Sequence, residues 1–181
     1  MAHVGLTVPD VGAAVAWYGS VLGLTLIHGP SAMRADGSAF GELLQDVFGP
    51  GFWSGTIAQM SAGNGVGLEL FGFDDPPVSL GVGGPDASCG DDDEDVDAGD
   101  AFEWWRPGLS HLCFVDPDVE ALAARIAGSG GRQRSRVWPL FPGAEGEGKA
   151  DGGPRMVYCA DSWENPIELF SHSHERTYAN R

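Results

Sequence analysis

The stretch HVGLTVPDV at residues 3–11 returns as HLCFVDPDV at residues 111–119. The histidine, the Pro-Asp pair and the valine behind it stand at 3, 9, 10 and 11, and again at 111, 117, 118 and 119. A second pair lies downstream of each. GLELF ends at Phe71 and NPIELF ends at Phe170, so Glu69 and Glu168 hold the same place before Leu-Phe. The second pair is set closer together than the first, as a shorter loop in the second copy would make it. A repeat on this scale is a fold-level signal and outranks local propensity.

Both copies read alike. A short alternating strand comes first, at 3–8 and 109–115. Asp10 and Asp118 follow as helix N-caps. Val11, Val15, Tyr18 and Leu22 then fall at helical spacing, as do Val119, Leu122, Ala123 and Ile126. Gly23 closes the first helix; Gly128, Gly130 and Gly131 close the second. Strands are expected at 24–28, 54–61 and 66–73 in the first copy, and at 134–138, 155–160 and 166–171 in the second. The expected fold class is therefore α+β, built from two repeated βαβββ modules. The first module covers 1–73 and the second 109–181, with a linker at 74–108. Residues 29–52 form an inserted connection with a short helix over 40–47, and 139–154 form a Gly-rich loop.

Composition narrows the function classes. The chain has 181 residues, 43% of them hydrophobic, enough for a core without staples. Its formal net charge of −16 sets it against phosphate backbones and anionic membranes, so no nucleic acid and no membrane partner is expected. Part of that charge sits in CGDDDEDVDAGD at 89–100, read as a solvated loop. A calcium loop would need alternating ligands and a distal Glu, which are missing. Three cysteines without a CxxC fit a reducing compartment. No signal peptide and no membrane span can be read, so a cytoplasmic, soluble protein is expected.

Strand side chains alternate between faces. Val4, Leu6 and Val8 take one face of the first strand, under the helix, and leave His3, Gly5 and Thr7 for a cavity. In GLELFGF, Leu68 and Leu70 share the helix side, so Glu69 points with Phe71 and Phe73 into the cavity. The second copy agrees. His111 and Cys113 oppose Leu112 and Phe114, while Glu168 and Phe170 oppose Ile167 and Leu169. A carboxylate lined by phenylalanine is costly to desolvate unless a positive charge meets it. The Glu strands carry no Lys or Arg. One divalent cation would satisfy both Glu and both His together.

These residues resemble the vicinal oxygen chelate superfamily, whose members include glyoxalase I, methylmalonyl-CoA epimerase, extradiol dioxygenases and bleomycin- and fosfomycin-resistance proteins. The resemblance runs through HVGLTVPDVGAAVAWYGSVLGL, GLELF, LSHLCFVDPDVEALAARI and DSWENPIELF. It implies two modules whose sheets curve around one metal site. The His, Glu, His, Glu set is similar to that of metal-dependent glyoxalase I. By that resemblance His3, Glu69, His111 and Glu168 are the ligands of a divalent ion, Ni, Co, Zn, Mn or Fe. Two adjacent positions would remain for a 1,2-dioxygenated small-molecule substrate and its enediolate. The implied activity is that of a metal-dependent lyase or isomerase. Glu168 would be the catalytic base, with Glu69 the second candidate. Members of the superfamily also place the site across a homodimer interface. Glu164 departs from the pattern, since the family's final turn commonly has Gly there.

Two other readings compete. An extradiol dioxygenase holds iron with two His and one carboxylate, and a fourth protein ligand counts against it. A drug-binding resistance protein needs no metal ligands at all. Substrate contacts are less legible. Arg132, Arg134 and Arg136 read as one strand face, suited to carboxylates or phosphates or simply solvated. His172 and His174 read as solvent-facing. Cys113 reads as a pocket wall, and Trp104 and Trp105 as a pocket mouth or an inter-module contact.

Overall fold

The computed structural model describes residues 1–78, 107–140 and 153–178. The acidic run, Trp104, Trp105 and most of the Gly-rich loop lie outside the described residues. The chain divides into two compact units, Met1–Ala87 and Ser88–Arg181.

The first unit runs β1 (His3–Thr7), α1 (Val11–Leu22), β2 (Thr25–Arg34), α2 (Ala39–Phe48), β3 (Ser54–Ser61) and β4 (Gly67–Asp75). Its sheet has the order β1-β4-β3-β2. β1 lies parallel to β4, and the other two pairings are antiparallel. The second unit runs β5 (Leu112–Val115), α3 (Val119–Ala127), β6 (Arg132–Gln133), β7 (Trp138–Pro139), β8 (Arg155–Ala160), β9 (Pro166–Phe170) and α4 (His174–Tyr178). Its sheet order is β5-β9-β8-β6, with β7 also paired to β8. Again the first and last strands, β5 and β9, are parallel neighbours. The class is α+β, as the repeat predicts. Among the described residues no helix is long and apolar enough to cross a membrane.

The two repeated helices begin as expected. Asp10 accepts from the Ala13 N–H at 2.9 Å, and Asp118 accepts from the Ala121 N–H at 3.0 Å. Gly23 closes α1 in the left-handed region, at φ 74°. The buried face of α1 is Val11, Ala14, Trp17, Tyr18 and Val21. It is turned slightly from the predicted one, because Trp17 rather than Val15 packs inward. In α3 the predicted Val119, Leu122, Ala123 and Ile126 are all buried. Against α1 lie Leu68, Leu70, Ala58 and Met60 of the sheet, each 5% exposed or less. Full burial of each such large side chain is worth about 2 kcal/mol. A 12-residue helix is marginal alone, so this packing is what holds α1.

The inserted helix is where the fold departs most from the module pattern. The helix expected at 40–47 forms as α2, capped by Ser38, whose Oγ accepts from the Gly41 N–H at 3.1 Å. It lies on the sheet face opposite α1. Leu44 joins Met33 and Phe52 in a second small core with Phe71 and Phe73. Phe48 meets Phe71 and Phe73 edge-on, with centroids 5.5 and 5.1 Å apart. Part of the face expected to line a cavity is therefore filled by α2.

Three boundaries need correcting. β2 extends from the expected 24–28 to Arg34, crossing register shifts on the way. β5 starts at Leu112 rather than 109, so His111 stands just ahead of its strand. The strand expected at 134–138 does not form. The Arg134 and Ser135 N–H groups both donate to the Tyr158 carbonyl, and Ser135 Oγ accepts the Tyr158 N–H at 2.9 Å. A hydroxyl has replaced a backbone rung, leaving β6 and β7 as separate two-residue strands. The three arginines consequently do not share one strand face.

Glu164 occupies the left-handed region at φ 67°, alone among the described non-glycine residues. That conformation explains why glycine suits this turn. Here the side chain finds its own partner. Arg132 Nε donates to both Glu164 oxygens, at 3.1 and 2.9 Å. The pair is exposed and worth at most about 1 kcal/mol, close to the cost of the backbone strain. Glu164→Gly should leave stability nearly unchanged, whereas Glu164→Ala keeps the strain and loses the pair. Urea unfolding should place the alanine variant about 1 kcal/mol below the glycine variant.

Candidate metal-binding half-sites

Parallel pairing of the first and last strands sets each half-site. In the first unit Gly5 lies opposite Glu69, and His3 lies opposite Gly67, two residues back on the same face. His3 Nε2 stands 3.3 Å from Glu69 Oε2. In the second unit Cys113 lies opposite Glu168, with His111 two residues back. His111 Nε2 stands 3.0 Å from Glu168 Oε2. The sequence repeat is thus a repeat of register.

The surroundings of the two Glu residues differ. Antiparallel partners place Gln59 opposite Glu69 and Tyr158 opposite Glu168. The Glu69 side chain keeps 23% of its surface, the Glu168 side chain 9%. A cavity of about 370 Å³ opens beside Glu69, with His3, Ile27, Gln59 and Val66 in its wall. At the far end of the same sheet face a second cavity, of about 430 Å³, is walled by Phe48, Phe52, Phe73 and Pro76. Gly5 leaves the surface opposite Glu69 bare, and a Cβ there would come within 3.2 Å of the Phe71 ring.

Around Glu168 the polar contacts converge. Cys113 and Tyr158 stand directly opposite Glu168 on the two neighbouring strands. Partial desolvation of the sulfur, then the Glu168 charge and hydrogen bond, pushes the Cys113 thiol up to about 12, although the residue as a whole is exposed. Cys113 is therefore protonated and not a nucleophile. The same causes, desolvation first, hold the Tyr158 phenol well above its ordinary range. The Tyr158 ring also meets the His111 ring edge-on at 5.5 Å. Ser110 Oγ lies 3.0 Å from His111 Nδ1, on the side away from Glu168. A contact of that kind fixes an imidazole's tautomer and orientation.

The turn DSWEN delivers Glu168 to its place. Asp161 is 1% exposed. Its Oδ1 accepts from the backbone N–H groups of Trp163 and Asn165, at 2.8 and 2.9 Å, and its Oδ2 accepts from Asn165 Nδ2 at 2.8 Å. This carboxylate fixes the turn from β8 into β9. Gln59, Tyr158, Ser110 and Asp161 were all missed in the sequence reading. Register identifies the first two, and register across antiparallel strands is not visible in a single strand's pattern.

His172 and His174 take no part. His172 Nδ1 lies 2.8 Å from Ser171 Oγ, and the His174 ring packs 4.7 Å from Tyr178 in α4.

Residues 1–169 match the Glyoxalase/Bleomycin resistance protein/Dioxygenase superfamily. The chain belongs to that superfamily. Solved structures similar to it include a glyoxalase family protein from Bacillus cereus, at 20% identity and TM-score 0.65, covering 94% of this chain and 91% of that one. Glyoxalase I from Zea mays aligns at 15% identity and TM-score 0.55, over 96% of this chain and 44% of the maize chain. The fosfomycin resistance protein FosX from Listeria monocytogenes, in a complex with Mn(II) and a dihydroxypropylphosphonic acid, aligns at 12% identity and TM-score 0.51, over 97% and 94%. At these identities the likeness is one of fold. No curated protein matches the chain.

The donors fit a borderline divalent ion in chemistry and in spacing. Metal bonds of about 2.1 Å at right angles put neighbouring ligand atoms about 3 Å apart. The two His–Glu separations, 3.3 and 3.0 Å, are of that size. Among the described residues no three His, Cys, Asp or Glu side chains stand together as a metal-holding group.

Asp161→Ala removes the acceptor for two backbone N–H groups and should lower stability by about 3 kcal/mol. Asp161→Asn keeps one acceptor oxygen but sets an amide against the Asn165 amide, so it should fall between. Thermal unfolding followed by circular dichroism gives the order.

Proposed function

We propose that this chain is a metal-dependent lyase or isomerase of the glyoxalase I type. Its cation would be held by His3, Glu69, His111 and Glu168 together. The observation that supports this most is the duplicated register, one imidazole beside one carboxylate in each unit, at 3.3 and 3.0 Å. An exposed His–Glu pair such as His3–Glu69 contributes little to stability. Fold maintenance is thus a weak reason for that pair in the first copy. The donor set suits Ni, Co, Zn, Mn or Fe.

When bound, a cation there supplies Lewis acidity to the substrate's paired oxygens and to the negative charge of an enediolate. The chain's own groups do the rest. Glu168 takes the proton from the carbon next to a carbonyl and returns it to the neighbouring carbon. Such a transfer isomerises the substrate without an oxidant. Tyr158 and Cys113 flank the Glu168 carboxylate on the neighbouring strands, and hydrogen bonds from them would orient the oxygen that receives the proton. Ser110 orients His111. Glu69, more exposed, is the second candidate for the base.

Glu168→Gln should lower turnover of the methylglyoxal–glutathione hemithioacetal by about 100-fold or more, while elemental analysis still finds most of the metal. Full activity in that variant removes Glu168 from the mechanism. Iron together with catechol cleavage would move the assignment to a ring-cleaving dioxygenase, and a purified protein free of metal would move it to a drug-binding resistance protein. Ser110→Ala should weaken metal affinity about tenfold, measured by competition with a chromogenic chelator.

A further inference from the structure

The three arginines of RQRSR are held in different ways. Arg132 grips Glu164. Arg134 lies in the irregular stretch between β6 and β7, its N–H bound to the Tyr158 carbonyl. Arg136 lies over the Trp138 ring, with its guanidinium carbon 3.5 Å from the ring centroid. It has no carboxylate partner among the described residues. Both side chains of this stack are exposed, Trp138 at 44%.

Register places the stack relative to Glu168. Residues directly opposite on neighbouring strands share a face of the sheet. One row across the second unit's sheet is Cys113, Glu168 and Tyr158; the next is Val115, Phe170, Met156 and Trp138. The alternate residues Val157, Cys159, Ile167 and Leu169 are fully buried, on the other side of the sheet. Trp138 thus stands on the Glu168 face, two residues along and two strands across. With about 3.3 Å per residue and 4.8 Å per strand, the separation is roughly 12 Å. Half-buried Met156 lies between, while Phe170 on the same row is 5% exposed and packs against Tyr178.

An arginine stacked on an indole is held planar while its N–H edge stays open. That geometry binds a carboxylate or phosphate through two parallel hydrogen bonds. In a chain of net charge −16, the overall field does not gather anions, so an anionic group would be held only where such a contact is built.

We propose that Arg136 on Trp138 is an oxyanion-binding subsite that selects substrates with a terminal carboxylate or phosphate roughly 12 Å from their chelating end, with an apolar spacer passing Met156. The distance rests on the chelating role given above to Glu168; the oxyanion contact itself does not.

The test uses two probes and the full chain. Octanoate, octyl phosphate and octanol are titrated by calorimetry into metal-free wild type, Arg136→Ala, Arg136→Lys and Trp138→Leu. The two anions should bind wild type, octanol much more weakly. Arg136→Ala should lose roughly tenfold in affinity for the anions with octanol unchanged, Arg136→Lys should recover part, and Trp138→Leu should weaken both. Whichever anion binds more tightly names the substrate's terminal group. Equal anion binding by wild type and Arg136→Ala, or no anion binding by wild type, overturns the subsite. Suberic acid monohydroxamate is then titrated with and without nickel. Nickel-dependent tightening that is smaller in Arg136→Ala supports both ends of the span. Arg136-dependent binding that nickel leaves unchanged keeps the oxyanion contact but overturns the span and, separately, the metal reading.

Discussion

Everything at the candidate site depends on the parallel pairing of the first and last strand of each unit. In a parallel pair, residues two apart on one strand and directly opposite on the other project to the same side. That places His3 beside Glu69, and His111, one residue ahead of β5, beside Glu168. Side chains seated on strands are positioned more rigidly than side chains on loops. The two halves differ in what borders the carboxylate. A bare Gly5 and an amide stand beside Glu69; a thiol and a phenol stand beside Glu168.

Under the proposed mechanism, that difference suits two chemically equal groups to unequal roles. Glu168 is nearly enclosed, faces His111 and is flanked by Cys113 and Tyr158. Glu69 looks onto an open cavity. A group meant to move a proton benefits from desolvation and a fixed orientation. A group meant only to hold a cation tolerates solvent. The insertion α2 adds a further asymmetry, roofing the Phe71 and Phe73 end of the first sheet with Phe48 and leaving Glu69 at the open end.

Much of this was legible in the sequence because the chain states it twice. The repeat of His, Pro-Asp and Glu-Leu-Phe fixed the strand–helix order and the faces of four side chains. The capping aspartates followed from residue type alone. What stayed hidden depended on partners distant in the chain. Tyr158 becomes a neighbour of Glu168 only through antiparallel register. Ser135 ends a strand because its hydroxyl takes a rung that the pattern gives to the backbone. α2 was visible as a helix, but the face it covers was not, since both of its sides carry apolar residues: Leu44 is buried, while Phe40, Leu43 and Val47 are exposed.

β1 carries a consequence of its own. Its hydrogen-bonding neighbour is β4, so the first strand made is matched by the last of its unit, after two helices and two strands have intervened. Closing so long a loop is entropically slow. During synthesis the N-terminal histidine must wait, unpartnered, until β4 has left the ribosome. The half-site is then completed by the same event that completes the sheet, and a shortened first unit would forfeit both together.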